Sequence, residues 1–101
     1  MIKLIERGDS LKQIHAIVSG RVQGVGFRNF TQTVAIENDI IGWVSNRVDG
    51  SVELSAQGED KQLESFMRKI KKGPHFIAKV ENVELTEEAI NPAYKKFEIK
   101  Y

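Results

Sequence analysis

The sequence has 101 residues, no cysteine and a formal net charge of +1, with 41% hydrophobic and 29% charged residues. This length and composition are typical of one globular domain whose core lies between two layers. The absence of cysteine excludes disulfides, thiolate metal ligands and a cysteine nucleophile. The balanced charge argues against a dedicated nucleic-acid binder, which usually has a strong basic excess.

The N-terminal segment, residues 1–12, is charged and weakly patterned. We interpret it as an extension that precedes a single domain over residues 13–101. The segment has no signal-peptide core, and the apolar runs of the chain are too short to span a bilayer. We therefore expect a cytoplasmic protein that acts as a monomer, without a membrane or nucleic-acid partner.

The apolar and glycine patterns predict the order β-α-β-β-α-β with a short strand at the end. The predicted strands cover 13–19, 41–47, 51–57, 80–85 and 96–101, and the predicted helices cover 27–38 and 60–72. Asp49-Gly50 indicates a tight hairpin, because glycine accepts the positive φ that such turns need. This order predicts an α+β, ferredoxin-like sandwich: an antiparallel sheet with both helices on one face. The fold alone does not name a function.

The feature that points to chemistry is the segment Gly20–Arg28, which lies between the first strand and the first helix. Its three glycines let the backbone approach an anion closely. The following helix directs unpaired N–H groups and the positive end of its dipole toward the same place. Arg28 can bind two phosphate oxygens there. A cation at a helix N-terminus is otherwise unfavourable, so we interpret the loop as an anion site rather than a glycine-rich turn.

Two stretches of the chain resemble the signatures of the acylphosphatases. The first signature is matched by Gly20-x-Val22-Gln23-Gly24-Val25-x-Phe27-Arg28. The second is matched by Gly42-Trp43-Val44-Ser45-Asn46-x-x-x-Gly50-x-Val52, ending at Gly58, and the usual C-terminal strand is similar to Phe97-x-Ile99-x-Tyr101. The resemblance covers about Gln13 to Tyr101. It departs from the family at Ser45, where lysine, arginine or glutamine is usual, and we expect that change to lie beside the site without loss of activity.

The resemblance implies a hydrolase of small acyl phosphates in which Arg28 and Asn46 are the catalytic side chains. Acetyl, carbamoyl and bisphosphoglycerate-type phosphates fit this activity as substrates. The phosphate would be bound by the backbone N–H groups of the loop, at Val22, Gln23, Gly24, Val25, Gly26 and Phe27. No serine, threonine, cysteine or histidine lies between Gly20 and Arg28. We therefore expect direct attack by a water that Asn46 orients, without a phosphoenzyme, a metal or a cofactor.

Other polar and aromatic residues have simpler interpretations. His15 and His75 lack the spacing of metal ligands, so we interpret them as structural or solvated. Trp43 and Phe76 are assigned to core packing rather than to the mouth of a substrate site, and Arg47 is assigned to the surface rather than to the phosphate. We interpret the acidic cluster of Glu81, Glu84, Glu87 and Glu88 as part of a solvated strand and turn rather than a metal site.

Two alternatives to the hydrolase remain open at this point. One is a non-catalytic anion- or RNA-binding module of the same fold. RNA-binding versions carry paired aromatic motifs on the open sheet face, and this sequence lacks them. The other is a carbamoyl-phosphate-handling domain detached from a larger maturation enzyme, which fits the signatures but fits a chain of 101 residues less well.

Overall fold

A sheet of five strands with two helices packed on it makes up the part of the chain that the computed structural model describes, residues 11–75 and 77–101. The strands are β1 (Leu11–Arg21), β2 (Ile41–Asn46), β3 (Val52–Glu59), β4 (Lys79–Glu88) and β5 (Phe97–Lys100). The helices are α1 (Phe27–Glu37) and α2 (Asp60–Lys72). Across the sheet the order is β4-β1-β3-β2-β5. This is the predicted α+β, ferredoxin-like sandwich.

The direction of β5 differs from the prediction of an antiparallel sheet. β5 pairs with β2 in parallel, with Gly42 opposite Phe97 and Ser45 opposite Lys100, so the sheet is mixed. The other three pairings are antiparallel. β4 lies at one edge of the sheet and β5 at the other, so the connection between them crosses the sheet and returns the chain in the direction of β2.

The first strand begins earlier than the sequence pattern indicated. Leu11 and Lys12, which were assigned to the extension, pair with Glu59 and Gly58 of β3. The assignment of residues 1–10 to an extension lies outside the described residues. The sheet therefore includes two residues that charge and weak patterning had placed before the domain.

The helix ends follow from local chemistry. α1 begins after Gly26, which has a left-handed conformation (φ 79°), and it ends at Asn38, whose side chain donates to Val34 O at 2.8 Å. α2 begins with a capping box between Glu59 and Gln62, and it ends at Gly73 (φ 84°). Both ends of α2 coincide with those predicted.

The core lies between the helices and one face of the sheet. Alternate residues of β1 point into it: Ile14, Ala16 and Val18 are all buried. They meet the apolar stripe of α2, formed by Leu63, Phe66, Met67 and Ile70. Phe27 and Val34 of α1 join the same cluster. Because α1 is anchored by its first residue, the loop that precedes it is held against the edge of the core.

Candidate active site

The loop between β1 and α1 is held at both ends by buried side chains. Val22 and Phe27 are each 1% exposed. Between them, Gly24 and Gly26 have positive φ angles of 76° and 79°. A Cβ at either glycine would meet open space, so these positions need glycine for backbone conformation rather than for close packing. The result is a curved backbone segment whose two ends are fixed.

The N-terminus of α1 opens onto this loop. The first intrahelical bond is donated by Phe30 N to Gly26 O at 3.0 Å. The N–H groups of Phe27, Arg28 and Asn29 precede it, and N–H groups in that position have no intrahelical acceptor. The first turn contains no acidic residue to offset the positive end of the helix dipole. The site therefore combines backbone donors, a helix dipole and the guanidinium of Arg28, all favourable to an anion.

The second wall of the site comes from the hairpin between β2 and β3. Asn46 is the last residue of β2. The turn that follows closes with a bond from Gly50 N to Arg47 O at 3.2 Å. Asp49 Oδ1 accepts from Ser51 N at 3.0 Å and from Ser51 Oγ at 2.6 Å. The Ser51 hydroxyl, followed by the Ser51 N–H, lowers the pKa of the Asp49 carboxyl below its ordinary value of 3.8. Asp49 thus stabilises the turn without the side chain of Asn46.

Gln23 joins the loop to the hairpin. Its Nε2 donates to Arg47 O at 2.7 Å and to Ser51 O at 2.8 Å. These two carbonyls belong to the residues that flank the turn, so one amide group spans the gap between the two walls of the site. Through this contact the position of Asn46 is fixed relative to the loop that leads to Arg28.

Arg28 contacts the C-terminal end of the chain. Its Nη1 donates to Lys100 O at 3.4 Å, and its guanidinium carbon lies 4.7 Å from the centre of the Tyr101 ring. A guanidinium stacked on an aromatic face is favourable and leaves its edges open to other acceptors. Arg28 is therefore positioned by β5 while its N–H groups can still bind a phosphate.

These elements surround a cleft of about 110 Å³, a volume suited to a small group such as a phosphate. It is lined by Val22, Gly24, Gly26, Phe27, Arg28, Asn29, Asn46 and Tyr101. The structure thus brings both expected catalytic side chains together with four of the six loop residues named from the sequence. Gln23 and Val25 do not line the cleft. Gln23 holds the hairpin, and Val25 packs partly buried against the core.

The sequence reasoning missed two lining residues, Asn29 and Tyr101. Asn29 follows Arg28 in the first turn of α1, so the placement of the loop before a helix was a signal that could have found it. Tyr101 follows a strand whose alternation was recognised. Its place beside Arg28 depends on the parallel pairing of β5 with β2, which no local pattern indicates.

The remaining sequence candidates lie away from the cleft. Arg47 Nη2 lies 3.9 Å from Asp49 Oδ2. Arg47 is not among the described residues that line the cleft. Ser45 is next to Asn46, and its Oγ donates to Asn46 O at 3.3 Å. Trp43 is half-buried; its Nε1 donates to Tyr94 Oη at 3.0 Å, and Lys100 Nζ lies 4.4 Å from the centre of its ring. Phe76 lies outside the described residues.

The titratable clusters named from the sequence do not form a metal site. His15 Nε2 lies 2.7 Å from Glu53 Oε2. The four glutamates Glu81, Glu84, Glu87 and Glu88 all lie in β4 and are exposed. Within residues 11–75 and 77–101, no group of three or more histidine, aspartate or glutamate side chains could hold a metal ion. Among the same residues, neither helix is long and apolar enough to cross a membrane.

Comparison with known proteins gives consistent matches over most of the chain. The acylphosphatase family model matches residues 14–99. An acylphosphatase of Oceanobacillus iheyensis is 50% identical over 91 residues, which cover 90% of this chain and 100% of that protein. An acylphosphatase of Bacillus subtilis is 44% identical over 89 residues, 88% of this chain and 97% of that protein.

Two solved structures share the fold. The crystal structure of acylphosphatase from Bacillus subtilis has a TM-score of 0.84 and 43% identity, and the match covers 89% of this chain and 99% of that one. The structure of an acylphosphatase from Coxiella burnetii has a TM-score of 0.86 and 35% identity, with 94% and 98% coverage. The likeness therefore holds in sequence and in three dimensions, over the full extent of the relatives.

Proposed function

The chain belongs to the acylphosphatase family, and on that premise we propose how its residues hydrolyse the carboxyl–phosphate bond of a small acyl phosphate. The phosphate occupies the cleft between the loop and the hairpin. Arg28 and the N–H groups at the start of α1 bind its oxygens, and Asn46 orients the attacking water. The observation that carries this proposal is that Arg28 and Asn46, on separate elements, line one small cleft.

The binding step uses charge that the fold has already placed. An acyl phosphate carries negative charge on its phosphate oxygens, and this charge spreads over three equatorial oxygens in the transition state. Backbone N–H groups and a guanidinium that are fixed before the substrate arrives need no reorganisation during the reaction. The Gln23 contacts to Arg47 O and Ser51 O hold the two walls of the cleft in that arrangement.

The chemical step is a single displacement at phosphorus. Water attacks in line, a new oxygen–phosphorus bond forms, and the bond between phosphorus and the carboxylate oxygen breaks. The carboxylate is a good leaving group and departs without a strong acid. An acyl phosphate dianion and water thus give a carboxylate anion and dihydrogen phosphate, with both protons of the water retained on the phosphate. Asn46 accepts one hydrogen bond from the water and places it for attack.

The open face of the sheet supports the hydrolase over an RNA-binding module. The segment between β4 and β5 lies on that face: Asn91 N donates to Gln57 Oε1 at 2.8 Å, and Tyr94 Oη donates to Ser55 Oγ at 3.1 Å. The face also carries the carboxylate of Glu53 beside His15. A surface covered by its own chain and bearing an acid is a poor platform for stacking bases.

The proposal is tested by hydrolysis of benzoyl phosphate in the presence of a metal chelator. We expect the wild type to be active, and Arg28→Ala and Asn46→Ala each to lose about 10²-fold or more of kcat with unchanged circular dichroism. Arg47→Ala is the matched control, because this arginine is adjacent to Asn46 and lies outside the cleft lining. An inactive wild type, or near-normal kcat for Asn46→Ala, contradicts the proposal.

The direct attack by water has its own test. Hydrolysis of an acyl thiophosphate whose phosphorus carries sulfur and two different oxygen isotopes, in water of the third isotope, should invert the configuration at phosphorus, because a single in-line displacement inverts it. Retention would require two displacements and a covalent phosphoenzyme, which this mechanism excludes.

A further inference from the structure

His75 contacts the phosphate loop from outside the cleft. This residue follows α2, after Gly73 and Pro74, and its Nε2 lies 3.1 Å from Val25 O. On the other side of the ring, Ile77 N donates to Nδ1 at 3.2 Å. Because Nδ1 accepts a hydrogen bond from a backbone N–H, the ring proton of the neutral imidazole is on Nε2. His75 therefore donates to the loop carbonyl.

The contact fixes the orientation of one peptide unit of the loop. In a planar trans peptide the carbonyl of one residue and the N–H of the next point in opposite directions. Val25 O points toward His75, so the N–H of Gly26 points away from it. Gly26 lines the cleft, and His75 is not among the lining residues. The N–H of Gly26 is thus on the side of the peptide that faces the phosphate site.

The Val25–Gly26 peptide unit needs such a restraint because Gly26 has no side chain. Rotation of the Val25–Gly26 unit changes the φ of Gly26, and glycine tolerates positive and negative φ about equally. A flipped unit would direct Val25 O into the cleft, where a carbonyl oxygen would repel phosphate oxygens. No Cβ at Gly26 opposes that rotation.

We propose that His75 is a positioning residue that holds the Gly26 N–H toward the phosphate by binding the carbonyl of the same peptide unit. The inference rests on the phosphate site proposed above. It assigns to the loop after α2 a role in substrate affinity, although none of the described residues of this loop lines the cleft. The group that His75 helps to bind is the phosphate of the substrate or inorganic phosphate as product.

Two substitutions separate the two hydrogen bonds of the ring. In His75→Asn, the side-chain oxygen can still accept from Ile77 N, but the side chain is too short to reach Val25 O. In His75→Gln, the longer side chain carries an N–H donor to the position of Nε2. We expect His75→Asn to raise the KM for benzoyl phosphate and the inhibition constant of inorganic phosphate by about threefold to tenfold. His75→Gln should restore both toward the wild-type values.

A purely structural role would give a different pattern. It would lower the melting temperature and the active fraction, and so the apparent kcat, while leaving the phosphate inhibition constant unchanged. His15→Gln is the matched control, since His15 is paired with Glu53 on the open face of the sheet. Wild-type phosphate inhibition in His75→Asn, or equal weakening in His75→Asn and His75→Gln, overturns the proposal.

Failure of this inference can be told from failure of the proposed function. Binding of inorganic phosphate to Arg28→Ala, measured by calorimetry beside the His75 variants, reports on the site itself. If Arg28→Ala loses phosphate binding while His75→Asn keeps it, the phosphate site stands and the role of His75 is wrong. If Arg28→Ala binds phosphate normally, the site is wrong as well.

Discussion

Arg28 and Asn46 are each supported by different neighbouring residues. Arg28 is stacked against Tyr101 and contacts Lys100 O, so its guanidinium is oriented before any substrate binds. Asn46 ends β2 while Asp49 stabilises the turn beyond it. Since Asp49 closes the turn, the amide of Asn46 is available to orient water. At the scale of single residues, neighbouring groups orient Arg28 and stabilise the turn after Asn46, so both side chains can serve the proposed reaction.

The Asp49 carboxylate makes this hairpin sensitive to acid. Its pKa lies below the ordinary 3.8 because the Ser51 hydroxyl and N–H donate to it. A folded-state pKa that is lowered stabilises the fold above the unfolded value, and the stabilisation is lost as the pH falls through the lowered value. We expect the carboxyl carbon of Asp49 to titrate below 3.8 when followed by NMR.

Asp49→Asn gives the corresponding stability test. The amide keeps an acceptor for Ser51 but has no carboxylate to protonate. The wild type should therefore melt at a higher temperature than the variant at neutral pH, and the difference should shrink in acid. A difference that grows as the pH falls would show that the ionised carboxylate does not stabilise the hairpin.

At the scale of elements, the N-terminus of α1 lacks the charges that usually stabilise the start of a helix. The first turn holds Arg28 and no acidic residue, although acids are the residues that stabilise this end of a helix. The opposite end of the second helix follows the usual rule, with Lys69, Lys71 and Lys72 in its last turn. The unusual charge therefore belongs to the one helix end that faces the cleft.

Asn29→Asp tests whether this helix end favours anion binding at the expense of helix stability. A carboxylate in the first turn should stabilise α1 by about 0.3–1 kcal/mol, and it should raise the KM for benzoyl phosphate about fivefold because it faces the phosphate. Urea unfolding and steady-state kinetics measure the two effects. The increase in KM should weaken as salt is added.

The uncharged control for this prediction is Asn29→Ser. It should leave both the stability and the KM close to the wild type. If Asn29→Asp is more stable and its KM is unchanged, Asn29 does not face the bound phosphate, and the cleft is occupied differently from the arrangement proposed here.

At the scale of the whole molecule, one core positions both halves of the site. Phe66 of α2 is fully buried and packs on Phe97 of β5, with ring centres 6.1 Å apart. Phe97 is paired with Gly42 at the start of β2. The strand that contacts Arg28 and the strand that carries Asn46 both pack mainly against α1, and Phe66 of α2 supports β5 from the same core.

Phe66→Ala should lower stability by about 3–5 kcal/mol, because it removes a large buried ring and leaves a cavity. Ile36→Ala is the matched control: Ile36 is 62% exposed, and its loss should change stability by less than about 1 kcal/mol. Urea unfolding measures both. The kcat per folded molecule should remain near that of the wild type, because Phe66 stabilises the core and does not line the cleft. A large loss of kcat with full stability would show that Phe66 acts on the site rather than on the stability of the fold.

The sequence by itself determined the features that depend on neighbouring residues. Alternating and helical periodicities predicted the strands and helices, and Gly73 with Pro74 fixed the end of α2. The glycine loop before a helix predicted an anion site, and the resemblance to the acylphosphatases added Asn46; both stay predictions. The predictions of strands, helices and the end of α2 are confirmed because side-chain periodicity, turn chemistry and helix ends are local properties of the chain.

Only the tertiary structure decided the contacts between distant segments. Gln23 reaches Arg47 across 24 positions, His75 reaches Val25 across 50, and Arg28 reaches Lys100 across 72. The parallel direction of β5 and the place of Tyr101 in the cleft also depend on contacts between distant segments. Periodicity shows which face of a segment is buried, but it does not show which other segment will cover that face. That choice depends on the packing of the complete core, and it is this packing that brings Arg28 and Asn46 to one cleft.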